Sequence, residues 1–176
     1  MIWSVDSLAT ILRRTKATPP KITLQRCSSW DPAASIVEPI GESANSLTAH
    51  QKLARRGEEI AALYLAQRGY NELKRNWRSR LGELDLVMQH GEEIVIVEVK
   101  SRVVEEQSGF ARYLTDSVHH KKQRKLVQLT EQFMRHYFGF RWNRPVRIDV
   151  VGVAFASDRQ SVVEVRHLIA AVSADY

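Results

Sequence analysis

The sequence predicts a mixed α/β domain that starts near His50 and runs to the end of the chain, over residues 50–176. Three observations predict it: an amphipathic helical pattern comes first, three strand-like segments follow it, and a second helical pattern precedes two final strands. The expected order of elements is therefore α-β-β-β-α-β-β. We expect these elements to form a mixed sheet flanked by helices.

Residues 1–49 have a different composition. They carry four of the five prolines of the chain, scattered serines and threonines, and no sustained helical or strand period. Such a segment is typical of a disordered or loosely structured tail. A secretory signal places its charges before its apolar run, whereas the apolar residues here precede Arg13 and Arg14. We assign the tail no function.

The first helix is expected from about Ser46 to Arg68, because apolar residues recur there at steps of three and four, and Gly69 ends the pattern. Its buried stripe is expected to contain Leu53, Gly57, Ile60, Ala61, Tyr64 and Leu65. Such a stripe packs one face of a helix against a sheet.

Three strands are expected next, over Tyr70–Trp77, Gly82–Gln89 and Glu93–Lys100. The last two are joined at His90-Gly91, a short link that favours an antiparallel hairpin. The third strand is β-branched on both faces, which indicates that both of its faces are covered. It is therefore expected at the centre of the sheet.

After a polar loop over Val103–Leu114, a second helix is expected from Thr115 to Tyr137. Its buried stripe is expected to contain Val118, Leu126, Leu129, Phe133 and Tyr137. Two strands, Val146–Phe155 and Val162–Ile169, close the chain on either side of a turn at residues 157–159.

Composition restricts the function classes. The 26 Lys and Arg residues outnumber the 20 Asp and Glu residues, giving a net charge of +6, which favours a polyanionic partner such as nucleic acid. The single cysteine, Cys27, excludes an internal disulfide or a Cys-rich zinc site. No apolar stretch approaches the roughly 20 residues of a membrane helix. We expect a cytoplasmic protein.

Charged residues enter the third strand on one face. Side chains alternate along a strand, so Glu98 and Lys100 share a face with Ile96. Burying such charges costs several kcal/mol each unless they are paired or bind a metal. The hairpin link predicts a register with Asp85 opposite Ile96 and Glu83 opposite Glu98, which brings these side chains to the same face.

Asp85 and Glu98 would then be diagonal neighbours that repel each other unless a cation lies between them. Mg²⁺ or Mn²⁺ would suit two carboxylates and still hold waters for a phosphate substrate. Lys100 would stabilise charge that develops on the phosphate, and Glu58 could reach the site from the first helix. This arrangement predicts phosphodiester hydrolysis.

Simpler interpretations stay open at each position. Asp85, Glu98 and Lys100 could form a structural ion-pair network within the sheet. Glu83 could be solvated at the rim of the site, and Glu58 could be an exposed helix residue.

These residues carry a family resemblance. Gly82-Glu83-Leu84-Asp85 followed by Glu98-Val99-Lys100 resembles the Asp…Glu-x-Lys signature of the PD-(D/E)xK nuclease superfamily, whose restriction-endonuclease-like core has the order αβββαβ. More closely, residues from about Gln51 to Phe155 resemble the bacterial family labelled YraN, which is similar to archaeal Holliday-junction resolvases. The further matching residues are Gly57-Glu58, Asn76-x-Arg78, Arg102, Lys122-Gln123 and Arg147-x-Asp149-Val150-Val151.

The resemblance implies that Glu58, Asp85 and Glu98 surround a divalent metal and that Lys100 is the catalytic lysine. The sequence departs from the superfamily pattern at Leu84, which stands where the naming proline would be. Similarity to resolvases also implies a homodimer, since symmetrical cutting of two strands needs paired sites.

Basic residues around this motif are candidate nucleic-acid contacts. Lys121, Lys122, Arg124 and Lys125 lie at the start of the second predicted helix, and Arg75, Arg78, Arg80 and Arg102 flank the motif. A solvated helix face is the alternative for the first cluster. Trp77 and Trp142 could stack on bases, but packing in the protein is the favoured interpretation.

Three further polar residues receive structural interpretations. His119 and His120 point apart on a helix, so we expect separate surface histidines. Asp149 lies in an apolar strand, where we expect it to anchor an arginine or the basic helix.

Two functions follow from the sequence. The first is a metal-dependent endonuclease acting on DNA, more than on RNA, and including branched structures. The second is a nucleic-acid-binding adaptor that keeps the nuclease fold without turnover.

Overall fold

The computed structural model describes residues 47–105, 110–117, 119–139 and 142–172. Its helices are α1 (Ala49–Ala66), α2 (Phe110–Asp116) and α3 (His120–Phe138). Its strands are β1 (Asn71–Ser79), β2 (Gly82–His90), β3 (Glu93–Val103), β4 (Val146–Phe155) and β5 (Val162–Val172). Most of the predicted tail lies outside the described residues.

The five strands form a mixed sheet in the order β1-β2-β3-β4-β5. Neighbouring strands are antiparallel except β3 and β4, which are parallel. A parallel pair needs a crossover connection, and α2 and α3 supply it here. The predicted α/β class and the mixed sheet flanked by helices are confirmed.

Helices cover both faces of the central strand β3, as its β-branched sequence predicts. Ile94 and Ile96 pack in one core with α2, α3 and β4. Val95 and Val97 point the other way, into a second core with α1. Since both faces are closed by apolar residues, a charged side chain on β3 has to be paired or placed at the end of the strand.

Helix α1 begins at a capping box, which sets its first residue later than the predicted Ser46. The Thr48 side chain accepts a hydrogen bond from the Gln51 N–H at 3.2 Å, and the Gln51 side chain accepts one from the Thr48 N–H at 2.9 Å. These reciprocal bonds satisfy amide groups that a helix start leaves free. Further along, Gly57 brings α1 close to Ser101 on β3.

The predicted hairpin register is wrong by two residues. Leu86 pairs with Val97 and His90 pairs with Glu93, so the turn is Gly91-Glu92 and not His90-Gly91. Gly91 has a φ of 58°, a conformation that glycine adopts without strain. Because side chains alternate with a period of two, the shift leaves each predicted face unchanged.

The predicted second helix is two helices. The segment expected to be a loop, Val103–Leu114, contains the start of α2, which ends at Asp116. There the Ser117 hydroxyl donates to the Leu114 carbonyl at 2.7 Å, and α3 starts afresh after His119. Ser117 can bond to the backbone in this way because serine competes with helical hydrogen bonding.

Burial along α3 matches the prediction in part. Leu126, Leu129 and Phe133 are buried as expected. Tyr137, also expected to be buried, is 45% exposed, because the last turn of α3 extends past the sheet-facing core. The prediction for Val118 falls outside the described residues.

Asp149 on β4 is fully buried and anchors an arginine, as predicted. It accepts hydrogen bonds from Arg147 Nε at 3.1 Å and from the Ala170 N–H at 2.8 Å, and its Oδ2 lies 2.8 Å from His167 Nε2. Ala170 has a φ of 51° and lies where the β4–β5 register shifts, so the carboxylate satisfies an amide that the irregular ladder leaves unpaired. None of the helices in the described ranges is long and apolar enough to cross a membrane.

Candidate active site

The site forms where β2 and β3 separate. Their ladder ends at the pair Leu86–Val97, and Asp85 is the neighbouring residue of β2, just outside the ladder. The Asp85 carboxylate enters the gap and accepts a hydrogen bond from the Val99 N–H at 2.8 Å. The Asp85 side chain thus takes the place of a backbone acceptor. This fixes its carboxylate against β3 at Val99, the residue between Glu98 and Lys100.

Glu98 is the buried carboxylate of the site. Its side chain is 4% exposed and points to the α3 face of the sheet. Lys100 Nζ and Lys122 Nζ both contact the same oxygen, Glu98 Oε1, and the Lys122 contact is 2.9 Å long. Two ammonium groups therefore neutralise one carboxylate whose burial would otherwise be costly.

Asp85 has a strongly perturbed acidity. Burial, followed by the negative charge of Glu98, raises the pKa of Asp85 to about 7. The Val99 N–H and the Lys100 charge act in the opposite direction without cancelling the increase. Two carboxylates in one poorly solvated place repel each other, so the site favours either a proton or a metal cation.

Lys100 remains an ammonium in this environment. Burial lowers the pKa of Lys100, but the charge of Glu98 and the hydrogen bond to it outweigh burial, and the pKa lies above its ordinary value. A lysine that keeps its proton can stabilise negative charge but cannot act as a general base.

Glu58 lies on α1, which packs on the face of the sheet opposite to α3. It is half-buried, and burial raises the pKa of Glu58 although a hydrogen bond from the Asn76 side chain and the charge of Arg75 oppose this. Its charge also contributes to the raised pKa of Asp85. Asn76 has a φ of 51° within β1, which is the kind of local irregularity that redirects a side chain.

The carboxylates do not form a dense metal cage. Within the described ranges, no three or more His, Cys, Asp or Glu side chains are grouped closely enough to hold a metal ion. Asp85 and Glu98 are brought together on neighbouring strands, whereas Glu58 acts on Asp85 electrostatically from α1. The metal role of Glu58 stays a prediction.

Glu83 and Arg78 lie at the rim. Arg78 is 79% exposed and pairs with Glu83 at 3.2 Å, consistent with the solvated interpretation of Glu83. Both residues line a groove of about 350 Å³ between the β1–β2 turn and α3, together with Ser79, Gly82, Lys122, Lys125, Leu126 and Leu129. The groove begins beside the site because Lys122 belongs to both.

The other predicted nucleic-acid contacts are at the surface. Lys121 and Arg124 are exposed on α3. Arg102 is exposed at the end of β3, with its guanidinium 4.7 Å from the centroid of the Tyr113 ring. Arg75 pairs with Glu72 at 2.6 Å. These positive charges lie on the elements that form the site.

Trp77 and Trp142 pack within the protein, which is the interpretation that the sequence favoured. Trp77 meets Phe133 edge to face, with 5.4 Å between ring centroids, and Trp142 packs against the same core. His119 is exposed but has a role that the sequence analysis missed: its ring accepts a bond from the Lys122 N–H at 3.4 Å and caps α3.

The contact between Lys122 and Glu98 was also missed. The sequence assigned Lys122 to a basic helix face directed at phosphate, because helical spacing cannot show which lysine of a cluster faces the sheet. The break before α3 sets this orientation. Helical spacing gives no signal for this contact, because Lys122 and Lys125 each precede a buried leucine, Leu126 or Leu129, by four residues.

The fold and the site define a mixed α/β protein with a five-stranded sheet, an aspartate where two strands separate and a Glu-x-Lys motif on the central strand. The sequence profile of the Uncharacterised protein family UPF0102 matches residues 57–153. The chain belongs to this family, which is the YraN family, and the resemblance is confirmed. The matched segment contains every acidic site residue and both lysines.

Several relatives of the same family are similar to most of this chain. A UPF0102 protein of Clavibacter michiganensis is 44% identical over 119 residues, which is 68% of this chain and 96% of the relative. One from Chloroflexus aurantiacus is 35% identical over 131 residues, covering 73% and 98% of the two chains. One from Anaeromyxobacter dehalogenans is 38% identical over 125 residues, covering 71% and 87%.

Among solved structures, Pyrococcus furiosus SfsA in complex with Ca²⁺ is similar at 15% sequence identity and a TM-score of 0.27. The match covers 68% of this chain and 62% of that one.

Proposed function

We propose that the protein is a divalent-metal-dependent endonuclease that hydrolyses phosphodiester bonds in DNA, including branched DNA, or in RNA. One observation carries the proposal. The Asp85 carboxylate is fixed on the Val99 N–H of β3, next to Glu98, whose own carboxylate contacts the catalytic candidate Lys100. Two acids and an amine from adjacent strands therefore meet at the place where β2 and β3 diverge.

The residues present fit Mg²⁺ or Mn²⁺. All donors are carboxylate oxygens, and Mg²⁺ is usually held by only one or two carboxylates while it keeps several waters. The charge of Glu98 contributes to the pKa of about 7 at Asp85, and a divalent cation would relieve that repulsion. Asp85 and Glu98 would hold the ion, with Glu58 assisting from α1. When bound, it would polarise the phosphate and lower the pKa of water.

The protein's own groups would supply the remaining chemistry. The Val99 N–H fixes the orientation of Asp85, and the burial of Glu98 fixes its carboxylate. A water oxygen forms the new bond to phosphorus while the bond from phosphorus to one ester oxygen breaks. Lys100, held as an ammonium, would stabilise the negative charge that develops on the phosphoryl oxygens.

Nucleic acid as the substrate class is supported by charge. The chain has a net charge of +6, and Arg78, Arg102, Lys121, Lys122 and Arg124 lie on the elements around the site. All of them except Lys122 are exposed, and exposed cations bind phosphates irrespective of sequence. We further propose a homodimer for cutting paired strands, which sedimentation velocity would test.

One observation favours the second candidate, a nucleic-acid-binding adaptor without turnover. Lys100 and Lys122 together already neutralise Glu98, which is what a structural ion-pair network requires. In that case the site would stabilise the sheet and bind no metal. The two candidates differ in their response to Mn²⁺.

The test is a cleavage assay with the purified full chain. Branched, duplex and single-stranded DNA and RNA are incubated with Mn²⁺ or EDTA, beside Asp85→Asn, which can still accept the Val99 N–H. We expect Mn²⁺-dependent cleavage that Asp85→Asn reduces by at least about a hundredfold. Glu83→Gln at the solvated rim is a charge-matched comparison. Cleavage that survives Asp85→Asn contradicts the proposal, and binding without cleavage on every substrate favours the adaptor.

A further inference from the structure

We infer that Lys122 is an exchangeable counter-ion: it pairs with Glu98 when the site holds no metal and transfers to a nucleic-acid phosphate when the metal binds. The inference rests on the proposed function, since it concerns the same site. It assigns to one lysine the coupling between metal binding and nucleic-acid binding. Its starting point is the contact of Lys122 with Glu98, which the Asp…Glu-x-Lys motif does not include.

One oxygen of Glu98 already has two hydrogen-bond donors. Glu98 Oε1 receives both Lys100 Nζ and Lys122 Nζ, and a carboxylate oxygen has two lone pairs. Both lone pairs of Oε1 are therefore engaged. A cation that uses this oxygen has to displace one of the ammonium groups, and two ammonium groups beside it also repel it.

Lys122 is better placed than Lys100 to leave Glu98. Lys100 lies two residues from Glu98 on the same strand, and its side chain is 24% exposed. Its ammonium stays close to the site in any rotamer that keeps to this face of β3. Lys122 comes from α3, is 33% exposed, and also lines the open groove at the β1–β2 turn. Lys122 can move its ammonium from Glu98 to the groove by rotating its own side chain.

The groove at the β1–β2 turn is the place to which the Lys122 ammonium would move. The groove holds about 350 Å³ and is lined by Arg78, Lys122 and Lys125, with Glu83 as its acidic wall. Lys125 lies tightly over Gly82, where an added Cβ would come within 2.9 Å of Lys125 Cε. A phosphate in this groove would meet the side chains of Arg78 and Lys125 and the released ammonium of Lys122. Such contacts position a nucleic-acid backbone without reading its sequence.

The exchange makes the two ligands cooperative. A phosphate that attracts Lys122 leaves Glu98 freer for the metal, and a metal on Glu98 frees Lys122 for the phosphate. The coupling has to be equal in both directions, because both ligands act on one equilibrium. A lysine that only stabilised the sheet would show no such coupling.

The experiment measures Mn²⁺ affinity of the full chain by calorimetry, with and without a single-stranded oligonucleotide. The variants are Lys122→Met, Lys122→Gln, which keeps a polar side chain, and Lys52→Met as the control, a lysine exposed on α1 and outside the groove. Without oligonucleotide, we expect both Lys122 variants to bind Mn²⁺ about three- to tenfold more tightly than the original protein, and Lys52→Met to differ by less than about twofold. Thermal unfolding shows that each variant is folded.

With oligonucleotide, the original protein should bind Mn²⁺ more tightly than without it, and the Lys122 variants should lose that gain. Unchanged or weaker Mn²⁺ binding in both Lys122 variants overturns the inference, as does an equal gain in Lys52→Met. Asp85→Asn distinguishes a failure of the proposed exchange from a failure of the proposed metal site. If it weakens Mn²⁺ binding while the Lys122 variants behave as the original protein, only the exchange is wrong. If neither the original protein nor the variants bind Mn²⁺, both the exchange and the metal site are wrong.

Discussion

The Asp85 carboxylate accepts the Val99 N–H across the opening between β2 and β3, at 2.8 Å. This bond lets two strands separate without leaving a β3 amide unsatisfied, since the side chain replaces the missing backbone partner. The same bond fixes a carboxylate next to Glu98. Local strand geometry and site chemistry thus depend on one residue, which makes Asp85 the most informative position to change.

Asp85 should make the metal-free protein less stable as the pH rises. Its folded pKa, about 7, lies above the ordinary value, so its stabilising contribution is complete below pH of about 4 and is lost as the pH rises through about 7. Asp85→Asn keeps the hydrogen bond and removes the charge. We expect it to raise the free energy of unfolding at pH 8 by about 1–2 kcal/mol, and by much less at pH 4.5.

Urea unfolding in EDTA at the two pH values measures this effect. Glu58, whose pKa is also raised by burial, adds to the same trend and is still present in the variant. Glu83→Gln is the control, because that carboxylate is exposed at the rim. A loss of stability at pH 8 in Asp85→Asn would contradict the assigned repulsion.

Metal binding should release a proton near neutral pH. A divalent cation has to compete with the proton that Asp85 carries below about pH 7. We therefore expect Mn²⁺ to bind more tightly at pH 8 than at pH 6, by about tenfold if one proton is displaced. Calorimetry in buffers with different ionisation enthalpies measures the proton directly. No proton release at pH 6 would show that Asp85 is not a ligand.

The sequence was sufficient for the class of fold and for the face on which the charged residues of β3 lie. The alternation that places Glu98 and Lys100 together is a property of any strand, and the two-residue error in the hairpin did not alter it. The limits of β4 were also predicted to the residue. Apolar periodicity carries this information because burial determines it.

The position of Asp85 in a gap, and the contact of Lys122 with Glu98, depend on features without a periodic signal. The separation of β2 from β3 is not encoded by hydrophobic alternation, which continues through it. The break between α2 and α3 depends on Ser117 and on capping by His119. Such end effects decide which lysine of a cluster faces the sheet, and pattern analysis reads them poorly.

Gly57 should tolerate no side chain. A Cβ at this position would lie 1.7 Å from Ser101 Oγ and 3.0 Å from Ser101 Cβ, because α1 approaches β3 closely there. We expect Gly57→Ala to lower the free energy of unfolding by about 1–3 kcal/mol, as overpacking does. Combining it with Ser101→Gly removes the atoms in conflict and should restore part of the loss. Denaturant unfolding of the single and double variants tests this, and additive losses would contradict the contact.

Asp149 should be the most costly acidic residue to remove. It is fully buried and accepts bonds from Arg147 and Ala170 while contacting His167. Asp149→Ala leaves these donors unpaired, and we expect a loss of about 3–5 kcal/mol. Glu83→Ala breaks only an exposed pair with Arg78 and should cost less than about 1 kcal/mol. Equal losses in urea unfolding would contradict this difference in burial.

We propose that Asp85 and Glu98 jointly hold a divalent cation beside Lys100. Anomalous X-ray diffraction from crystals grown with Mn²⁺ tests it most directly, because the manganese signal locates the ion independently of the protein atoms. We predict a manganese peak within coordination distance of both carboxylates, with Lys122 Nζ displaced from Glu98. Crystals without a peak at this position, in which both lysines still contact Glu98, would contradict the account.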